Sequence, residues 1–294
     1  MPARHLFAIL LVIVVWGINF LFVKVALDEI APLLLCALRF LLASIPAILF
    51  IKRPAVPLKA LFSYGLFMFA LQFSFIFVGM RVGMTPGMAS LLMQVQVFFS
   101  MLFAALVFKE SLQFSQILGA LVSFLGIGIV ALHFDNSMSL PGFLCVLCGA
   151  ASWGWGNLVA KKMPPASVIA LLAWSSFMIC IPMLILSWLV EGPEQWLSAY
   201  QKVSWHGIGA LMYIVYGSTW IGYGVWNWLL RLYPVSVMVP FTLLVPVVGI
   251  VSSVLFLGES FQLWKLIACL FVIGGLCINI FGAHWLRMKA PETA

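Results

Sequence analysis

The sequence predicts an all-α membrane protein with ten transmembrane helices. Of its 294 residues, 65% are apolar and only 8% are charged, and the mean hydropathy is +1.18. A soluble domain is about 45–50% apolar and about 25% charged, so this composition excludes soluble globular and disordered proteins. The apolar residues form continuous runs, whereas a transmembrane barrel would alternate apolar and polar residues, so the runs are predicted to be helices.

Ten apolar runs are separated by short breaks in which proline, glycine and charged residues cluster. The breaks read, in chain order, DEIAP, KRPAVPLK, RVGMTP, KES, HFDNSMS, KKMPP, EGPEQ, RLYP and GES. Span 1 begins like a secretory signal, but its apolar run continues to Val25 without a small-residue cleavage site, so we expect it to be retained. The ten predicted spans cover residues 6–27, 32–51, 60–80, 86–108, 114–132, 141–160, 166–190, 206–230, 235–257 and 263–285.

The distribution of Lys and Arg between the short loops predicts the orientation. One side of the membrane carries ten of these residues, namely Arg4, Lys52, Arg53, Lys59, Lys109, Lys161, Lys162, Arg231, Arg287 and Lys289. The other side carries four, namely Lys24, Arg81, Lys202 and Lys265, together with six acids, namely Asp28, Glu29, Asp135, Glu191, Glu194 and Glu259. The positive-inside rule therefore predicts that both termini are cytoplasmic.

The net charge of +7 does not indicate a nucleic-acid-binding surface, because the basic residues are scattered singly rather than gathered in one patch. All six cysteines lie inside apolar runs, which argues against disulfides. Cys145 and Cys148 form a CxxC pair without a second ligand pair nearby, so we interpret them as packing residues and expect neither a metal nor another cofactor.

The two halves of the chain resemble each other. Asn19 precedes Lys24 by five residues in span 1, and Asn157 precedes Lys162 by five in span 6. Span 4 ends in LVFKES and span 9 in LFLGES. The repeat is therefore five spans long, over residues 1–135 and 136–294, and an odd number of spans inserts the second copy upside down. Inverted repeats are typical of secondary transporters, with the substrate site near the midplane, although duplication also occurs in channels and scaffolds.

On these residues the sequence resembles the EamA family of the drug/metabolite transporter superfamily. The resemblance covers nearly the whole chain, through WGINFLFVKVAL, PLLLCALRF, GMASLLMQVQVFFS, GNLVAKK and GYGVWNWLLRLYPVSVMVPFTLLVPVVGI. Spans 4 and 9 look particularly like those of bacterial exporters of cysteine and O-acetylserine. The resemblance implies ten helices in two inverted repeats around a central cavity, lined chiefly by spans 1, 3, 4, 6, 8 and 9, and export of metabolites.

Polar side chains at membrane depth usually face a cavity or a partner helix. Gln72 lies near the middle of span 3, and Gln94 and Gln96 lie near the middle of span 4. Residues two positions apart on an α-helix point about 200° away from each other. We therefore expect only one of Gln94 and Gln96 to face the cavity, and we favour Gln94. The alternative is that all three glutamines bond to neighbouring helices.

Matching positions of the two repeats supply further candidates for substrate binding. Trp16 and Asn19 share a face of span 1, and Trp153 and Asn157 share a face of span 6. Equivalent positions of an inverted pair would meet across the pseudo-two-fold axis. Helix packing, aided by small residues such as Gly156, is the alternative.

Span 8 carries an aromatic and polar stripe at helical spacing. Its substrate-binding candidates are Tyr213, Tyr216, Trp220, Tyr223 and Asn227, whereas Trp226 lies off the stripe. Aromatic residues that face lipid collect at the membrane interfaces, so a stripe through the middle favours a lined cavity, and a packed core is the alternative. In span 9, Pro240 and Pro246 free backbone carbonyls and are predicted to act as hinge or backbone-binding positions.

Arg39 lies inside span 2 with no carboxylate at its depth in any span, and it is the candidate partner for a substrate carboxylate. Bonding to backbone carbonyls or snorkelling outward is the alternative. Glu110 and Glu259 lie at helix junctions and resemble cap residues.

The absence of a midspan Asp or Glu argues against a proton-coupled exporter of cationic drugs. We therefore predict an inner-membrane secondary transporter that exports amino acids or their derivatives, such as cysteine or O-acetylserine, by alternating access. Aromatic amino acids or other aromatic, drug-like solutes are the alternative substrates. An intramembrane enzyme is a remote alternative, because no nucleophile–base pair, metal motif or Walker motif is present. The predicted partners are the lipid bilayer and the solute, not nucleic acid, with the chain a monomer or weak dimer.

Overall fold

The computed structural model describes residues 1–133, 138–260 and 262–289, and the regular elements among them are all helices, with no strand. We number the helices α1 to α11. They are α1 Ala3–Leu27, α2 Pro32–Ile48, α3 Leu58–Arg81, α4 Pro86–Phe108, α5 Phe114–Ala131, α6 Leu140–Lys162, α7 Val168–Glu191, α8 Pro193–Lys202, α9 205–232, α10 235–257 and α11 Leu263–Lys289. The predicted repeat boundary at 135/136 and the acid Asp135 lie outside the described residues.

Eight of the described helices are long and apolar enough to cross a membrane: α1, α3, α4, α5, α6 and α7, the Val239–Leu257 part of α10 and the Leu263–Gly282 part of α11. The two other predicted spans correspond to α2, an apolar helix of 17 residues, and to α9. The chain is therefore a multi-pass α-helical membrane protein.

The helix α8 was not predicted. Its sequence, PEQWLSAYQK, is too short and too polar for a span, and it forms an amphipathic helix between α7 and α9. The Trp196 indole N–H donates to the Ser187 hydroxyl at 3.0 Å, and Ala199 is buried. These contacts dock α8 on the end of α7.

Four helices contain a segment that is not α-helical. The helices α3 and α9 contain π-helical segments, Leu66–Leu71 and Tyr213–Gly222, and α4 and α10 contain 3₁₀ segments, Met93–Val95 and Val239–Leu244. A pattern based on 3.6 residues per turn cannot reveal such segments. Each one changes the direction in which the following side chains point.

Small residues allow several helices to approach closely. A Cβ atom on Gly17 of α1 would lie 2.5 Å from the Val248 Cβ of α10. In the pair formed by α5 and α11, a Cβ on Gly275 would overlap the Gly119 carbonyl oxygen and the Ser123 hydroxyl. The Ser123 hydroxyl also donates to the Val272 carbonyl at 3.0 Å, so these two helices are joined along their contact face.

Candidate functional site

A cavity of about 280 Å³ lies between seven helices: α1, α2, α3, α4, α6, α9 and α10. Its polar lining comprises Asn19, Arg39, Gln72, Gln94, Gln96, Ser218 and Thr242. Its aromatic lining comprises Trp16, Phe20, Phe73, Phe77, Trp153, Tyr223 and Trp226. The cavity therefore combines apolar walls with a few polar groups, which is typical of small-molecule sites.

Five of the seven polar lining residues lie at or beside the segments that are not α-helical, whereas Asn19 and Arg39 lie in regular α-helix. Gln72 follows the π segment of α3, Ser218 lies within that of α9, and Thr242 lies in the 3₁₀ segment of α10. Gln94 lies within the 3₁₀ segment of α4 and Gln96 directly after it. A 3₁₀ turn holds about three residues, so the smaller angle between positions two apart is about 120°, against about 160° in an α-helix. The tighter winding brings the two glutamines closer to one face of the helix, and both line the cavity.

Arg39 is the one charged residue among those lining the cavity, and its side chain is only 2% exposed. Its Nη2 donates to the Thr219 hydroxyl at 3.0 Å, and its guanidinium carbon lies 3.8 Å from the centroid of the Phe73 ring. Its Nε and Nη1 have no hydrogen-bond partner. Within the described residues no carboxylate lies within 4 Å of this guanidinium, which is charged at every physiological pH.

Three amide oxygens of the cavity also lack a partner: Asn19 Oδ1, Gln72 Oε1 and Gln96 Oε1. The Gln94 side chain differs, because its Nε2 donates to the Thr242 carbonyl, although the distance is long at 3.4 Å. Buried polar atoms almost always have a hydrogen-bond partner. The cavity therefore offers unpaired donors on Arg39 and unpaired acceptors on the amides. It can bind a ligand that carries both hydrogen-bond acceptors and hydrogen-bond donors.

Trp16 forms part of the aromatic wall in a fixed orientation. Its indole N–H donates to the Ser218 carbonyl at 3.2 Å, and its ring meets Tyr223 and Trp226 at centroid distances of 5.6 and 5.4 Å. Gly222 leaves room for this ring, because a Cβ there would collide with the indole nitrogen. Trp226, which lies off the predicted stripe, is therefore part of the cavity wall.

The structure brings seven of the predicted site residues to the cavity: Trp16, Asn19, Arg39, Gln72, Gln94, Trp153 and Tyr223. Of the α9 stripe, only Tyr223 is among them. The Tyr213 hydroxyl donates to the Val15 carbonyl, Tyr216 is 43% exposed, and Asn227 donates to the Tyr223 carbonyl within its own helix. Trp220 packs against the hydrophobic core. These residues do not share one face because the segment Tyr213–Gly222 is π-helical, and the 3.6-residue spacing of an α-helix does not apply within it.

Asn157 lies elsewhere than predicted. Its Nδ2 donates to the Ser100 hydroxyl at 2.9 Å, at a second cavity of about 270 Å³ between α4, α5 and α6. This cavity also holds the ion pair between Glu110 and Lys161. Asn157 therefore does not meet Asn19 across the central cavity.

The two prolines of α10 flank its change of helix type. Pro240 lies in the 3₁₀ segment and Pro246 in the first turn of the α-helical segment that follows, Val245–Leu257. The carbonyl that receives the Gln94 amide belongs to Thr242, between the two prolines.

Sequence reasoning did not select several cavity residues as candidates: Phe20, Phe73, Phe77, Gln96, Ser218, Trp226 and Thr242. Phenylalanine carries no signal that separates a cavity wall from a lipid-facing surface. Gln96 and Trp226 are polar or aromatic residues in the middle of predicted spans, but regular α-helical spacing predicts that their side chains point away from the cavity. In the described part of the chain, no three His, Cys, Asp or Glu side chains are grouped so as to hold a metal ion.

Comparison with known proteins identifies the relatives of the chain. The model of the EamA-like transporter family matches residues 4–132 and 140–281. Two proteins named "probable amino-acid metabolite efflux pump" are similar over nearly their full length. The one from Salmonella typhimurium is 39% identical over 96% of both chains, and the one from Escherichia coli is 37% identical over 95% of both.

An uncharacterised transporter of Bacillus subtilis is 26% identical over 95% of this chain and 97% of its own. A crystal structure with a TM-score of 0.55 and 17% identity covers 97% of this chain and 100% of its own, which is a likeness of fold alone.

Proposed function

The chain belongs to the EamA-like transporter family, and from that premise we propose that it exports amino acids or their derivatives across the bacterial inner membrane. The names of the Salmonella and Escherichia relatives support this substrate class. The observation that carries the proposal is the central cavity, with unpaired donors on Arg39 and unpaired acceptors on three amides. Its volume of about 280 Å³ is at the small end for ligand sites, which suits a small solute.

The proposed architecture is ten spans in two inverted repeats, residues 1–135 and 136–294. In this scheme α3 corresponds to α9 and α4 to α10. The first pair shares π segments and the second pair shares 3₁₀ segments, which supports the correspondence. The packing has the same relation, because α1 packs on α9 and α10 as α6 packs on α3 and α4.

The proposed orientation places both termini in the cytoplasm, on the strength of the uneven distribution of Lys and Arg between the loops. Glu259 then lies at the outer side and Glu110 at the inner side.

The contacts of Glu259 and Glu110 support transport by alternating access. At the outer side, the Glu259 carboxylate accepts from the Thr85 hydroxyl at 2.6 Å and from the Gly87 N–H at 3.3 Å, at the start of α4. It also pairs with Lys265 at 3.0 Å, and the lysine is 2% exposed. At the inner side, Glu110 pairs with Lys161 of α6, and both side chains are about half exposed. In this proposal the contacts of Glu259 close the outer end tightly, and those of the equivalent Glu110 close the inner end loosely. Such a difference is expected of a carrier held in one of two states.

Cysteine and O-acetylserine are our first candidates for the solute, and the aromatic wall around Trp16 favours larger aromatic amino acids as the second. Counterflow in proteoliposomes distinguishes them. Vesicles are loaded separately with cysteine, O-acetylserine, threonine, phenylalanine, tryptophan or the cation ethidium, and uptake of the radiolabelled partner is followed. We expect exchange of amino acids and none of ethidium. Exchange of ethidium alone, with folded protein, would overturn the proposal.

A further inference from the structure

We propose that the central cavity binds the two charges of an α-amino acid at two separate places. The Arg39 guanidinium binds the carboxylate, and the amide oxygens of Asn19, Gln72 and Gln96 bind the ammonium group. This inference rests on the proposed function and deepens it, because it states which chemical groups a solute must carry.

The carboxylate end follows from the state of Arg39. A buried charge without a partner is costly, and proteins normally pair it. Here the guanidinium is buried, two of its nitrogens have no hydrogen-bond partner, and its described contacts are neutral. Thr219 and Phe73 hold it in place without neutralising it. An arginine that is positioned and left unpaired is suited to receive a carboxylate from outside the protein.

The side chain of Arg39 is held in position by a chain of two hydrogen bonds through Thr219. The Thr219 hydroxyl that accepts from Nη2 donates in turn to the Ile214 carbonyl at 2.9 Å. Both residues lie in the π segment of α9, so this segment orients the guanidinium. Thr219 is therefore a positioning residue for the carboxylate end.

The ammonium end follows from the amides. An ammonium group offers three N–H donors and no acceptor, and it requires oxygen atoms as partners. Asn19 Oδ1, Gln72 Oε1 and Gln96 Oε1 are buried acceptors without a donor, from three different helices around the same cavity. They carry no formal charge, so they bind an ammonium group without attracting every cation, and the nearby Arg39 disfavours a solute that has only positive charge.

The inference predicts which analogues the transporter accepts. Cysteine carries both charges, cysteine amide and cysteamine lack the carboxylate, and N-acetylcysteine lacks the ammonium group, while all four keep the same thiol side chain. Each blocked solute leaves one set of buried groups unpaired, which weakens its binding. We expect cysteine to inhibit counterflow of labelled amino acid at concentrations at least about tenfold lower than the three blocked forms.

The test combines this series with variants of Arg39. In Arg39→Gln, the advantage of cysteine over cysteine amide should fall by about tenfold or more, because the carboxylate has lost its partner, while discrimination against N-acetylcysteine should persist. Arg39→Lys, which restores a positive charge, should recover part of the advantage. Ser187→Ala, at the α7–α8 contact outside the cavity, is the matched control and should leave the series unchanged. If wild type exchanges another amino acid, the same four forms of that solute are used.

The outcomes separate the two proposals. Absence of exchange for every solute with wild-type protein would overturn the proposed function and this inference with it. Exchange of the amino acid with equal inhibition by its blocked forms, or an unchanged preference in Arg39→Gln, would overturn this inference alone.

Discussion

At the scale of single residues, the binding role that we propose for Arg39 is opposed to the stability of the empty protein. Its charge is buried without a carboxylate partner, which is unfavourable for the empty protein. We therefore expect Arg39→Gln to have an apparent melting temperature in detergent equal to or above that of wild type, although its preference for cysteine over cysteine amide is reduced. Thermal unfolding followed by intrinsic fluorescence tests this. A fall of more than about 5 °C would mean that Arg39 is needed for the fold, as an ordinary packed residue is.

Glu29 gives a prediction about acid stability. Its carboxylate accepts from the Ser204 hydroxyl and from the Ser204 N–H, both at 2.6 Å, and these bonds lower its pKa. A lowered pKa stabilises the folded state above the unfolded pKa, about 4.3 for Glu, and this contribution is lost as the pH falls through the folded pKa. The melting temperature of Glu29→Gln should therefore be below that of wild type near pH 7, and the difference should shrink under acid.

The control for this experiment is Glu194→Gln, at the exposed start of α8. It should follow the wild-type curve at every pH. A constant difference between Glu29→Gln and wild type from pH 7 to pH 3.5 would contradict the account of Glu29.

Single residues of the site were predictable where their chemistry is unusual for a membrane. A charge or an amide at midspan is costly, so Arg39, Asn19, Gln72 and Gln94 could be selected from the sequence. Thr219 and Phe73 were not, because a threonine and a phenylalanine are common in membrane helices. Their importance comes from contacts with Arg39 across the bundle, which the sequence does not record.

At the scale of elements, the contact between α5 and α11 gives the sharpest test of helix packing. A methyl group on Gly275 has no space against Gly119 and Ser123, whereas nothing lies within 4 Å of a Cβ on the neighbouring Gly274. Overpacking typically costs about 1–3 kcal/mol. Gly275→Ala should therefore lower the melting temperature in detergent by several degrees, and Gly274→Ala should leave it unchanged or slightly raised. Equal effects of the two substitutions would contradict this packing.

The elements themselves were largely predictable, because apolar runs and their breaks locate membrane helices well. The predicted span 86–108, for example, coincides with α4. The π and 3₁₀ segments were not predictable, since their sequences, such as YIVYGSTWIG, look like ordinary α-helix. For this reason Tyr213, Tyr216 and Asn227, which are expected on one cavity-lining face, lie away from the cavity. For the same reason Gln96, which is expected to point away, lines the cavity.

At the scale of the whole molecule, the proposed two-state cycle predicts that weakening the outer closure exposes the cavity to the outside. Glu259→Gln or Lys265→Met removes one partner of a buried ion pair that joins α10 to α4 and α11. The cysteine-free protein with Met93→Cys in the cavity should then react faster with a membrane-impermeant maleimide added outside. Lys161→Met, which removes the inner pair, is the matched control and should not increase this labelling.

If neither outer variant increases labelling, the assignment of the Glu259 side as the closed outer end is wrong. We expect an increase of about tenfold, which corresponds to a change of about 1.4 kcal/mol in the equilibrium between the two states.

At the scale of the whole molecule, matching motifs such as LVFKES and LFLGES support the proposed repeat, but they do not give the position of the cavity along the bundle. Asn157 illustrates the limit. Its sequence position matches that of Asn19, yet it bonds to Ser100 at a second cavity. In the proposed repeat, equivalent residues occupy different surroundings if the carrier is closed at one end only, and the sequence does not indicate which end is closed.

The central claim is that solute passes through the central cavity, and initial rates of amino-acid counterflow test it most directly. Asn19→Ala and Gln72→Ala remove buried groups that line the cavity, and Tyr216→Ala changes an exposed residue of α9 outside it. We predict that the first two reduce the rate at least about tenfold in folded, reconstituted protein, while Tyr216→Ala keeps the wild-type rate. Full transport by both cavity variants, with loss in Tyr216→Ala, would contradict the claim.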